Sequence, residues 1–272
     1  MIFLPLYDEN PSKRPPIITW AFMFICFMVF IYQFNLPQRL EIGFVYKYAF
    51  IPDYLSNYYI VSNLAPINPL ITLITSAFLH AGWMHILGNM LYLWIFGDNV
   101  EDSMGKFKFF IFYILCAISG SLLQYYSNPS SDIPIVGASG AIAGVLGSYL
   151  ILYPKANIKV FMWVIIIFRT INIPAWIVLG IWILGQFFSL SSSPSSGGGV
   201  AYFAHIGGFI AGMALTPLLK NKDKPIFNER LSSPWVVKKT QTSDISKTFT
   251  HGRKSSLPVF KKSKGSLPRF RR

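Results

Sequence analysis

Charge is what this chain lacks. Only 13% of its 272 residues are Asp, Glu, Lys or Arg, while 53% are hydrophobic and 24 Phe, 14 Tyr and 7 Trp are among them. So few charges cannot clothe a soluble domain of this length, and a polytopic membrane protein is expected. Cysteine is scarce as well. Cys26 and Cys116 are the two present, each inside an apolar run, which excludes a secreted disulfide framework. The apolar runs contain no carboxylate, which excludes an aspartyl mechanism and leaves no pair of gapped half-helices with ion-binding acids, as a transporter would need. Lys13 and Arg14 precede the first run, but no small-residue cleavage pattern follows it. That run is an uncleaved span, not a signal peptide.

The positive charge that exists is collected at one end. From Lys220 onward there are fifteen Lys and Arg against Asp223, Glu229 and Asp244, which is +12 of the whole chain's +13. Residues 1–16 read as an N-terminal cytoplasmic segment, 17–219 as a membrane domain and 220–272 as a basic tail whose Ser, Lys, Pro and Arg mixture predicts disorder. Such a tail is drawn to anionic lipid at the membrane surface. Nucleic acid is not expected as a partner.

Within the membrane domain six apolar segments predict six spans: 17–36, 83–97, 107–126, 139–153, 174–190 and 200–219. The second and fourth are short for a helix facing lipid, which places them inside the bundle. The connection 37–70, punctuated by Pro37, Pro52, Pro66 and Pro69, is too apolar for a free linker and is expected at the interface. The run "VFMWVIIIF" (160–168) is too short to span and reads as interfacial or re-entrant. Lys and Arg lie before span one, between two and three, between four and five, and in the tail. Both termini are therefore expected in the cytoplasm. The fold class predicted is an all-α bundle of six transmembrane helices.

Polar side chains inside such spans need a partner or a task. Ser139 opens span four within "VGASGAIAG", His205 lies in span six, and His85 with Asn89 lies in span two. At 1.5 Å of rise per residue, all three positions fall roughly 20 Å from the inner ends of their helices, which is one level, about 10 Å below the outer surface. A serine hydroxyl is a weak nucleophile until a base takes its proton, and histidine is the usual base. Ser139 and His205 would form such a dyad. Asn89 follows His85 at i, i+4, so the two can present donors to one oxygen, as a tetrahedral oxyanion requires. Gly137 and Gly140 permit a tight turn around the serine, and the pairs Gly140/Gly144 and Gly208/Gly212 form small faces through which spans four and six would pack closely. His80, five residues before His85, points to another side and reads as structural. A zinc site would need ligands beyond three histidines, and Asn89 is a poor one. No metal or cofactor is expected.

At these residues the sequence resembles the rhomboid intramembrane serine proteases. The matching elements are "HAGWMHILGNMLYLWIFGDNVED" (80–102), "GASG" (137–140) and "AHIGGFIAG" (204–212), in order on spans two, four and six. The resemblance covers roughly residues 17–219. It implies Ser139 as nucleophile, His205 as general base without a third carboxylate, and His85 and Asn89 in the oxyanion hole. It also implies a site open to the extracytoplasmic side, transmembrane helices as substrates, and span five, "PAWIVLGIWILGQFF" (174–188), as a lateral gate with Trp176 and Trp182 as candidates for gate packing. Some family members carry a Trp-Arg pair where this chain has Ile71 and Thr72, so loop anchoring by that arginine is not implied. Glu101 matches a family acidic position and reads as structural. A rhomboid-like protein that binds transmembrane helices without cleaving them is the alternative, and such relatives lack the serine or the histidine that this chain retains. The bacterial inner membrane is the expected location, since no organelle-targeting segment precedes span one.

Overall fold

The computed structural model describes residues 2–58, 67–164, 167–192 and 200–227. Six long helices lie on the six predicted segments: α1 (Ile17–Phe34), then, after short helices α2 (Gln38–Tyr48), α3 (Pro52–Ser56) and α4 (Pro69–Thr75), α5 (Trp83–Met104), α6 (Lys106–Ser127), α7 (Ser139–Leu152), α8 (Ala175–Ser192) and α9 (Tyr202–Leu219). Three of them, α1, α6 and α9, are long and apolar enough to cross a membrane, and a fourth crossing follows if α4 with its 3-10 turn and α5, bent by 83°, count as one broken span. The chain is a membrane protein with a mostly helical fold.

α7 occupies the middle. From Gly140 to Tyr149 every residue of it is buried, so it needs no lipid-facing length, and its 14 residues suffice. Its close neighbours are glycine-built. A Cβ on Gly208 would overlap the Gly140 carbonyl and one on Gly212 the Gly144 carbonyl. The small faces of α7 and α9 therefore meet, as their spacing predicts. α5 runs further than the predicted end at 97. Its last turns hold buried Asn99, Glu101 and Asp102, polar groups that apolar run length could not register because their partners are distant in sequence. Glu101 caps α1: its carboxylate accepts from Ile18 N (3.1 Å), Thr19 N (2.8 Å) and Thr19 Oγ1 (2.9 Å). These are free donors of a helix whose own N-cap, Pro16, supplies none. Glu101 is structural, as expected.

The all-α expectation is corrected by a three-stranded antiparallel sheet in the order β1 (Ile2–Asp8), β2 (Asn157–Val164), β3 (Ile167–Pro174). The described residues of the run, 160–164 and 167–168, are not re-entrant: they lie in paired strands in which Val160 faces Ile171 and Trp163 faces Phe168. A short, β-branched apolar run carries no periodicity that separates strand from helix. Here Ile158 and Val160 are fully buried while Lys159 between them is not, a strand alternation on one short stretch. β1 takes the edge, where Pro5 removes no shared ladder bond. The sheet, the N-terminus of α1 and the C-termini of α5, α7 and α9 share one end of the bundle. Beyond α9, Asn221 N donates to Ser103 O (2.8 Å), Lys224 pairs with Asp102 and Phe227 N donates to Ile151 O (2.8 Å). The tail predicted to be disordered, 220–272, is described only to Phe227, and residues 228–272 lie outside the described residues.

At the opposite end the 37–58 connection is tied down without the family's arginine. Thr72 turns its hydroxyl to Pro69 O (2.7 Å), whereas Thr75 Oγ1 donates to Tyr48 O (2.7 Å), Phe50 pairs with Ile135, and Asp53 N donates to Ser131 O (2.9 Å). These bonds fasten it to the end of α4 and to the loop that leads into α7.

Candidate active site

Ser139 is the first residue of α7, and the chain reaches it through Gly137. That glycine has φ +124°, a conformation open to glycine alone at little cost, and its N–H donates to Ser76 O at 2.9 Å. A Cβ there would stand 2.6 Å from His85 Nε2. The turn thus serves two ends: it aims Ser139 out of the helix start and leaves room for a histidine ring directly above the backbone.

His205 lies one turn into α9, only 8% exposed. Its Nε2 is 2.7 Å from Ser139 Oγ, hydrogen-bond distance for proton transfer. The close α7–α9 approach produces this distance. Had Gly208 or Gly212 a side chain, the helices would part and the hydroxyl would lose the ring. Trp182 of α8 packs on His205, centroids 5.8 Å apart, and on Phe209, while Tyr202 meets the ring edge-on at 6.5 Å. Of the two tryptophans considered for gate packing, Trp182 is the one at the site, and Trp176 is 55% exposed. Gln124 of α6 accepts from Ala204 N (3.3 Å) and so steadies the start of α9.

On α5, His85 of the sequence-predicted pair reaches the turn that carries Ser139. His85 Nδ1 accepts from Ala81 N (3.3 Å), so its proton sits on Nε2, the nitrogen beside Gly137. Asn89 is one turn further on, 7% exposed, and its Nδ2 has no acceptor among the described residues. His85 thus presents its Nε2–H beside Gly137, and Asn89 Nδ2 is a donor without an acceptor among the described residues. His80 is fully buried and meets His85 edge to face at 5.1 Å. Its carbonyl accepts from Gln33 Nε2 (3.1 Å), which binds α1 to this loop. Among the described residues no group of three or more His, Cys, Asp or Glu is placed to hold a metal ion.

One neighbour was not anticipated. Gln186 of α8 puts Oε1 2.7 Å from His205 Nδ1. The signal was present in "WILGQFF" (182–188), a lone amide on an apolar helix that needs a partner.

The Rhomboid domain profile matches residues 68–222. The chain is 33% identical over 149 residues to rhomboid protein 1, mitochondrial, of Saccharomyces cerevisiae, covering 53% of this chain and 40% of that protein. It is 35% identical over 163 residues to rhomboid protease GluP of Bacillus subtilis, covering 59% and 28%. With RHOMBOID-like protein 11, chloroplastic, of Arabidopsis thaliana it shares 35% over 72 residues, covering 26% and 25%. The matched region spans two fifths or less of each relative's length.

Proposed function

The chain belongs to the rhomboid family, and on that premise we propose that it is an intramembrane serine endopeptidase acting through a Ser139–His205 dyad. The observation that carries this reading is the 2.7 Å contact between Ser139 Oγ and His205 Nε2 at the buried meeting of α7 and α9. Ser139 attacks the scissile carbonyl while His205 takes its proton, and the tetrahedral oxygen is received by His85 Nε2–H, Asn89 Nδ2–H and the free N–H groups at the start of α7. His205 then returns the proton to the leaving amine, and water hydrolyses the acyl-enzyme. No cofactor or metal takes part.

Six spans with both termini in the cytoplasm put the dyad on the extracytoplasmic side, and the substrates are transmembrane segments of other membrane proteins, admitted past α8. The basic tail holds to anionic lipid. The protein resides in the bacterial inner membrane. The test is cleavage of a labelled single-span substrate by the purified full-length protein in detergent. Wild type is expected to cleave, Ser139→Ala and His205→Ala to show none. A well-folded wild type that bound but cut none of several such substrates would favour the non-catalytic helix-binding alternative instead.

A further inference from the structure

His205 has two ring nitrogens, and the proposed reaction uses one. For Nε2 to take the Ser139 proton it must begin bare, so the ring proton must sit on Nδ1 and have an acceptor there. The group in place is Gln186 Oε1, at 2.7 Å. The amide is oriented from its other end, because Gln186 Nε2 donates to the carbonyl of Trp182, one turn back on α8, at 3.2 Å. A directed chain results: Ser139 O–H to His205 Nε2, His205 Nδ1–H to Gln186 Oε1, Gln186 N–H to Trp182 C=O. Turning any member around would set two donors or two acceptors against each other. A neutral amide suits this place, since a carboxylate would have to be desolvated as an ion.

The chain ends on α8, a helix buried unevenly along its length. α8 is anchored by Ala175, Val178 and Leu179 near its first turn, whereas no residue from Gly180 to Leu190 is fully buried. A Cβ on Gly180 or Gly185 would meet nothing within 4 Å, in contrast to the crowded glycines of α7 and α9. Gln186 lies in that less buried half, beyond Trp182, which packs on His205 and Phe209, so the acceptor of the His205 proton is carried by α8.

We infer that Gln186 is a positioning residue for the dyad, holding His205 in its Nδ1–H tautomer, so that Ser139 is activated only while the outer half of α8 is seated. The inference rests on the protease reading above. It makes α8 more than a doorway: a helix passing it breaks the chain of hydrogen bonds, and reseating restores it before acyl transfer begins. The other titratable side chains facing His205 are His85 from α5 and Tyr202 from α9.

The test uses full-length protein in detergent and two reactions, labelling of Ser139 by a small fluorophosphonate, which needs no helix to enter, and cleavage of a transmembrane substrate. Gln186→Met keeps length and lacks the acceptor, and Gln186→Glu keeps the acceptor. Loss of one such hydrogen bond is expected to slow labelling and kcat by about 5- to 100-fold in Gln186→Met with KM unchanged. Gln186→Glu is expected to recover most of the labelling rate and, by placing a charge on the imidazole, to move the acid limb of the pH profile to higher pH. Labelling of Gln186→Met at the wild-type rate would overturn the inference, whether or not its cleavage suffers, because Gln186 would then act on entry alone. Should Gln186→Met fail to fold, an unshifted pH profile in Gln186→Glu would overturn it equally. Absence of labelling in wild type would instead remove the protease reading itself.

Discussion

Asn89 shows how one residue can be poor for the fold and good for the reaction. A buried amide N–H without an acceptor costs roughly 1–3 kcal/mol, and Asn89 Nδ2 has none among the described residues. Its neighbour on the helix, His85, is likewise turned so that a proton points toward Gly137 and not toward Ala81. Both are repaid only when an oxyanion stands between them and the serine. Asn89→Ala is therefore expected to leave thermal stability in detergent within about 1 kcal/mol of wild type, while kcat falls about a hundredfold with KM little changed. Melting curves and single-turnover cleavage on the same preparations measure both. A variant that loses stability and activity together would make Asn89 a structural amide.

At the scale of elements, the dyad is a consequence of two glycine faces. Gly208 and Gly212 stand against the backbone of Gly140 and Gly144, a contact no side chain can share. Gly212→Leu lies about two turns from His205 and touches no reacting group, yet it forces α7 and α9 apart. It is expected to cost about 3 kcal/mol or more of stability and to abolish cleavage, whereas Gly185→Ala on α8, with open space around it, should be tolerated. Thermal unfolding and cleavage of the two variants side by side would check this, and a fully active Gly212→Leu would sink it. These packing glycines, the helices on the six apolar segments and the approach of Ser139 to His205 were legible in the sequence, because each is announced by a local pattern: an apolar run, a polar residue within it, a small-xxx-small face. What was not legible depends on distant partners. Nothing near residues 157–164 shows that they pair with β3 and, across 150 residues, with β1. Glu101 identifies itself as acidic but not as the cap of α1. Gln186 could be seen to need a partner, but only the fold shows that the partner is His205.

The whole molecule is closed at the end opposite the dyad by its own N-terminus. β1 pairs with β2, and Asp8 at its end accepts at Oδ2 from Tyr149 Oη (2.6 Å) and Asn99 Nδ2 (2.8 Å), gripping the helix that carries Ser139 and the helix that carries His85. Burial pushes the Asp8 carboxyl up from 3.8 to about 7, the Tyr149 hydrogen bond working against the rise and the charge of Asp98 adding to it. A raised folded pKa means that the native state holds the proton more tightly than the unfolded chain. The stabilisation is thus complete below about pH 4 and is lost as pH rises through about 7, a change of at most roughly 4 kcal/mol for this one group. Stability in detergent is expected to decline between pH 4 and 7.5 and to level off above that. Asp8→Asn keeps an acceptor for Tyr149 and cannot ionise, so it should flatten this decline and unfold at a higher temperature than wild type at pH 8. If wild type and Asp8→Asn show the same pH dependence of melting, the carboxylate at the end of β1 is ionised in the fold without penalty.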